Sequence, residues 1–121
     1  MSRLLAAAAS LVAALFAVQA AAGASAPSAA TGPVTAVGPT SATVAGSVDP
    51  NGVATTWYVE YGTGTSYGSR TSATSAGSGT SSSPVSASLT GLKAETSYHY
   101  RIVATSSAGT AHGADGLLTT S

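Results

Sequence analysis

From residue 33 onward, hydrophobic side chains recur at every second position in short runs separated by glycine, proline and asparagine, with no 3.6-residue stripe among them. A period of two belongs to strands that bury one face, because successive side chains of an extended chain point to opposite sides. The first run, residues 33–37, ends at Gly38-Pro39. In the second, residues 41–48, Ala42, Val44, Gly46 and Val48 share one face, and Thr43, Ala45 and Ser47 share the other. Asp49-Pro50-Asn51-Gly52 then reads as a tight turn, with proline fixing φ at its second position and glycine closing it. Residues 55–61 direct Trp57, Val59 and Tyr61 inward and Tyr58 and Glu60 outward.

Residues 66–83 are almost entirely Ser, Thr, Gly and Ala. A short edge strand is expected near residues 69–73 and a mobile loop over the rest, since nothing there offsets the entropy of ordering. Val85, Ala87 and Leu89 form the next inward set. Tyr98, Tyr100, Ile102 and Ala104 follow, alternating with His99, Arg101 and Val103. A last strand is expected over residues 111–120, with Leu117 or Leu118 inward. The predicted core is Val44, Val48, Trp57, Val59, Tyr61, Val85, Leu89, Leu92, Tyr98, Tyr100, Ile102 and one terminal leucine. Seven short antiparallel strands around one such core predict an all-β, immunoglobulin-like sandwich.

Nothing covalent closes that sandwich, because the chain has no cysteine. Charged residues make up only 7% of the 121 residues and the net charge is zero. Four Lys and Arg cannot assemble the basic patch a nucleic acid needs, so that partner class is excluded. Residues 1–22 are of another kind. Arg3 precedes Leu4, Leu5, an alanine run, Leu11, Val12, Leu15, Phe16 and Val18, the layout of a secretory signal peptide. Val18-Gln19-Ala20 and Ala20-Ala21-Ala22 both place small residues at −3 and −1, so cleavage is expected after Ala20 or Ala22. The apolar stretch falls short of the ~20 residues of a spanning helix. Residues 23–32 are expected to be a flexible leader and residues 33–120 the domain. The expected product is secreted, monomeric and free of the membrane after cleavage.

Leu89-Thr90-Gly91-Leu92-Lys93-Ala94-Glu95-Thr96-Ser97-Tyr98-His99-Tyr100-Arg101-Ile102-Val103-Ala104 strongly resembles the E–F region of fibronectin type III domains. In that family a leucine lies six residues before a tyrosine, here Leu92 and Tyr98. The resemblance implies that Leu92 plugs the bottom of the core. It also implies that Tyr98 forms a corner whose hydroxyl bonds to backbone near the preceding turn. Ser106-Ser107-Ala108-Gly109 is similar to the family's F–G turn, Leu118-Thr119-Thr120 to its last strand, and Trp57-x-Val59-x-Tyr61 to its strand C. The likeness covers residues 33–120 and points to a divergent bacterial branch of the family. One departure is Gly46, where typical members carry a core tryptophan on strand B. Trp57 is expected to fill the space.

Gly64-Thr65-Ser66-Tyr67-Gly68 fits the G-x-S-x-G of a nucleophile elbow, but no helix is expected after it and the order of acid and histidines is wrong. Gly62-x-Gly64-x-x-x-Gly68 lacks the spacing and the helix of a dinucleotide loop. His99, His112 and Asp115 make a weak metal set, and Asp49-x-Asn51-Gly52 lacks the terminal glutamate of a calcium loop. No catalytic, cofactor or metal residues are assigned. One surface stands out, because strands C and F are neighbours in this fold. Tyr58, Glu60, His99 and Arg101 should share an exposed face, with Glu60 and Arg101 as a cross-strand pair. The expected function is a non-catalytic extracellular spacer or interaction module. Its alternative is a stand-alone protein using that face, with a protein or extracellular polysaccharide as partner.

Overall fold

A computed structural model of the protein describes residues 25–121. The expected signal peptide, and residues 23 and 24 of the leader, lie outside the described residues. Nine strands follow in order: β1 (Ser28–Val37), β2 (Ala42–Asp49), β3 (Thr55–Gly62), β4 (Ser69–Arg70), β5 (Thr74–Gly77), β6 (Ser83–Leu89), β7 (Ser97–Ser106), β8 (Gly109–His112) and β9 (Gly116–Thr119). All pairings are antiparallel. One sheet has the order β1-β2-β6. In the other, β3 and β7 pair at the centre, with β4 and β5 along the free side of β3 and β8 and β9 along the free side of β7.

Seven strands were expected and nine are present among the described residues. The surplus arises because both outer strands of the larger sheet are interrupted. Between the pairs Trp57↔Thr74 and Glu60↔Arg70, residues 58 and 59 of β3 face residues 71–73. Between Val103↔His112 and Tyr100↔Gly116, residues 101 and 102 of β7 face residues 113–115. Each interruption is a bulge of one extra residue, and the two lie opposite one another across the sheet. The polar stretch expected as a mobile loop is therefore partly strand. Small hydroxyl residues pair adequately along an edge that has only one neighbour.

The two sheets close on Ala42, Val44, Val48 and Leu89 from one side and Trp57, Val59, Tyr98, Tyr100, Ile102, Ala104 and Leu118 from the other, with Leu92 plugging an end. Full burial of each large apolar side chain is worth about 1.5–3 kcal/mol. Tyr61, Val85 and Ala87 pack against this cluster only half-buried. Leu118 is the inward leucine, and Leu117 is 62% exposed. Val103, on the outward register, is nevertheless fully buried.

Two further expectations are corrected. Residues 28–32, assigned to the flexible leader, pair with β2 from Ser28↔Asp49 to Thr31↔Gly46. They carry no apolar period because closeness matters more there than bulk. A Cβ on Gly32 would stand 2.9 Å from the Ala45 carbonyl oxygen. Nor does Trp57 take the space left at Gly46. A Cβ there would come 2.4 Å from the Ala30 carbonyl oxygen and 2.8 Å from Ile102 Cγ1, so β1 backbone and Ile102 occupy it.

The connection between β6 and β7 is tied at three points. The Lys93 amide donates to the Tyr98 hydroxyl at 2.8 Å. The Thr120 hydroxyl donates to the Lys93 carbonyl and accepts from the Thr96 amide. Thr120, only 3% exposed, thus holds the corner from the last residues of the domain. Tyr98→Phe leaves the Lys93 amide without its acceptor, at a cost of about 1–2 kcal/mol. For a domain of this size that lowers the melting temperature by roughly 4–8 °C per kcal/mol. Gly46→Ala drives a methyl into backbone and is expected to cost about 1–3 kcal/mol. Thermal melts of the two variants, followed by circular dichroism, check both.

Candidate functional site

Unbroken β3–β7 pairing sets the site. Its register places Tyr58 beside Val103, Glu60 beside Arg101 and Gly62 beside His99. Tyr58, Glu60, His99 and Arg101 therefore share the outer face, though they do not form one contact group. Arg101 Nε donates to Glu60 Oε1 at 2.8 Å, with both side chains about a quarter exposed. His99 instead turns to Asp115, Nδ1 to Oδ2 at 2.8 Å. Tyr58 lies beneath Arg70, whose guanidinium carbon is 5.0 Å from the ring centroid.

The link between these pieces is Tyr67. Its ring stacks on the Arg101 guanidinium at 4.6 Å, and its hydroxyl donates to Asp115 Oδ1 at 2.8 Å. A continuous chain of contacts thus runs Glu60, Arg101, Tyr67, Asp115, His99. Tyr67 reaches this place because residues 63–68 fold back over the end of β3. A Cβ on Gly62 would sit 1.5 Å from the Tyr67 carbonyl oxygen, so only glycine permits the approach. Tyr67 itself has φ +61°, a left-handed conformation that costs about 1 kcal/mol or more in a non-glycine residue. The stack and the hydrogen bond hold it there.

The bulges supply the remaining geometry. Beside the first, the Thr71 amide donates to the Val59 carbonyl at 2.9 Å, and the Val59 amide donates to Thr71 Oγ1 at 3.0 Å. Beside the second, the Gly113 amide donates to the Ile102 carbonyl at 2.8 Å, and the Ile102 amide donates to Thr31 Oγ1 at 3.2 Å. A threonine hydroxyl replaces a missing ladder partner on each side. The extra residue among 113–115 carries Asp115 past Arg101, its regular cross-strand position, toward His99 and Tyr67. Re-aiming a side chain is a common use of a bulge.

Asp115 is held below the usual carboxylate range, first by the hydrogen bond to His99 and then by that from Tyr67, while desolvation opposes the shift. The Tyr67 phenol is pushed up, chiefly by burial, with the bond and charge of Asp115 adding to it and Arg101 working against it. Tyr100 is likewise pushed up by burial; its hydroxyl donates to the Gly32 carbonyl at 2.8 Å.

Other motifs find structural uses. Asp49 Oδ1 accepts from the Asn51 amide at 2.9 Å, an Asx turn closing the β2–β3 connection. His112 lies opposite Val103, apart from the His99–Asp115 pair, and no group of three metal-ligating side chains converges among the described residues. In the G-x-S-x-G stretch the strained residue is Tyr67, not Ser66, and no helix follows among the described residues. Ser66 instead lines a small open cleft of about 280 Å³ with Glu60, Gly68, Ser69 and Arg70. Sequence reasoning left Tyr67 and Arg70 out of the face. Their signal was their isolation, as the aromatic and the cation of an otherwise Ser/Thr/Gly/Ala stretch.

No protein-family model matches the chain, and no curated protein matches it in sequence. Solved structures share its fold. The sensor domain of the anti-sigma factor RsgI4 of Pseudobacteroides cellulosolvens superimposes with a TM-score of 0.59 at 19% identity, over 76% of this chain and 91% of that one. A solution structure of the same sensor domain gives 0.60 at 19% identity, covering 76% and 73%. The fibronectin type III domain of human fibronectin type III domain containing protein 3 gives 0.51 at 18% identity, covering 84% and 92%. The fold is therefore a fibronectin type III-like sandwich, with the expected strand C filled by β3, the expected edge strand near residues 69–73 by β4 with β5, and the expected last strand by β8 with β9.

The Asp115 carboxyl is expected to titrate by NMR below the roughly 3.9 of an unperturbed aspartate. Because its folded value is depressed, its stabilising contribution is complete above that unfolded value and disappears as pH falls through the folded one. Tyr67→Phe should move the midpoint upward. A midpoint at or above the unperturbed value would contradict the hydrogen-bonded arrangement.

Proposed function

We propose that this fibronectin type III-like domain is a secreted, non-catalytic interaction module, working through the outer face of β3 and β7. One observation carries the reading: the unequal furnishing of the two outer faces. Between β2 and β6 the outward cross-strand pairs are Thr43↔Ser88, Ala45↔Ser86 and Ser47↔Pro84, with no large or charged side chain among them, and β1 adds Ala36, Ala30 and Ser28, the last opposite Asp49, whose carboxylate closes its own turn. The larger sheet carries Tyr58, Tyr67 and His99 together with Glu60, Arg70, Arg101 and Asp115. Those four are half of the eight Lys, Arg, Asp and Glu in the whole chain. A chain so sparing of charge has no need to gather it on one sheet merely to stay soluble.

The arrangement suits contact better than chemistry. Arginines and tyrosines are the side chains that most often dominate binding energy. Here they are already ordered by stacking and hydrogen bonds, which lowers the entropy lost when a partner docks. His99 and Asp115 are engaged with one another, and Ser66 makes no hydrogen bond to a histidine among the described residues. The likeness to an anti-sigma factor sensor domain and to a fibronectin type III domain agrees with a recognition role. The amino-terminal signal-like segment agrees with export. A pure spacer needs no such face, and that difference separates the two readings.

The test is retention of the domain on a panel of insoluble cell-wall polysaccharides and immobilised extracellular proteins. Retention by at least one matrix is expected. Tyr58→Ala should weaken it by roughly tenfold, the effect of losing one hot-spot side chain. Ser86→Ala on the opposite face should leave it unchanged. If no matrix retains the domain, or if the two variants behave alike, the face is not a contact surface.

A further inference from the structure

Of the two arginines on this face, one is spoken for and the other is not. Arg101 has Glu60 at its Nε and Tyr67 on its flat face. Arg70 is the cross-strand neighbour of Glu60 and stacks on Tyr58, yet it forms no ion pair among the described residues. Stacking engages the flat face of a guanidinium and leaves its in-plane N–H donors free. Arg70 borders the cleft of about 280 Å³ that Glu60, Ser66, Gly68 and Ser69 complete.

The lining specifies the ligand by what each group lacks. The Arg70 guanidinium lacks an acceptor, and a carboxylate is the acceptor that fits its fork. The Ser66 and Ser69 hydroxyls can donate or accept. Glu60 gives one oxygen to Arg101, which offsets its charge, and its other oxygen takes only a donor. An apolar group satisfies none of these, and a cation would face Arg70. An acidic peptide brings a carboxylate and backbone N–H donors, but spreads them along an extended chain and not within one ring of the cleft's size. A sugar ring bearing a carboxylate supplies acceptor and donors together. At about 280 Å³ the cleft seats one ring, below the roughly 300–1,000 Å³ of sites that enclose larger ligands. The space beside Gly68 is open, since a Cβ there would meet nothing within 4 Å.

The geometry points to recognition of a uronate residue of an acidic polysaccharide in this cleft, with Arg70 holding the carboxylate and Glu60, Ser66 and Ser69 holding the ring hydroxyls. The inference rests on the outer face of β3 and β7 being a contact surface, and it names the ligand class for that surface.

The probe is D-glucuronate, titrated into the ¹⁵N-labelled domain and followed by amide chemical shifts, with D-glucose, sodium acetate and a tetraglutamate peptide as comparators. Saturable shifts confined to residues 60 and 66–70, with dissociation in the millimolar range, are expected for glucuronate alone. Arg70→Gln should weaken the interaction at least tenfold while its spectrum stays that of the folded domain, and Arg70→Lys should recover part of the loss. Absence of a glucuronate response, or indifference to Arg70→Gln, overturns the inference. So does an equal response to glucose, which removes the carboxylate from recognition, or to acetate or tetraglutamate, which removes the sugar. If glucuronate fails while Tyr58-dependent retention on some matrix persists, the contact face stands and only the ligand class is wrong. If glucuronate binds while no matrix retains the domain, the cleft stands and the wider contact surface falls.

Discussion

The antiparallel pairing of β3 with β7 runs from Thr55↔Ser106 to Gly62↔His99 without a slip, and both the core and the outer face are read off it. At its centre Val59 and Ile102 lie opposite one another, each fully buried. Their backbone groups turn away from each other toward the flanking strands, and both flanking strands bulge at that level. With no disulfide available, this central pair takes the place of a covalent staple. Its side chains anchor the hydrophobic cluster, and its amides, capped by Thr71 and Thr31, fix where the outer strands break. Those breaks give the sheet two irregular edges, a recognised defence against edge-to-edge association. They also set Arg70 beside Glu60 and aim Asp115 at His99 and Tyr67.

Much of the fold was legible because burial imposes a period of two that no other structure shares. The inward sets on β2, β3 and β7 follow that period, and the E–F stretch marked Leu92 and Tyr98 by a spacing tied to a particular corner. What escaped the sequence had a different physical origin. β1 begins at Ser28 because small residues allow its backbone to lie against β2, and a demand for closeness leaves no hydrophobic signal. Gly46 is likewise explained by Ile102 and the Ala30 carbonyl, neighbours that are distant in sequence. Thr120 secures the corner through one hydroxyl, which reads as any other threonine in a threonine-rich chain. Val103 is buried on a face where alternation predicts exposure, flanked in register by Tyr58 and His112.

The face was half legible. Adjacency of strands C and F was enough to group Tyr58, Glu60, His99 and Arg101, since register alone decides which side chains share a surface. The partners that order them were not, because each arrives through an irregularity. Tyr67 depends on a glycine that lets a loop fold back on its own strand, and Asp115 on one surplus residue in a broken strand. Irregular backbone obeys no period. Local sequence can therefore nominate a surface in such a domain, while tertiary structure decides how it is wired.

The claim that the bulges build the site can be tested by removing one. Deleting Ala114 leaves two residues opposite residues 101 and 102, so β8 and β9 keep their registers and Asp115 moves beside Arg101. In the NMR spectrum of this variant, nuclear Overhauser contacts between the His99 ring and the Asp115 side chain should disappear, while those between Tyr98 and Lys93 persist. Survival of the His99–Asp115 contacts in a folded deletion variant would contradict that claim.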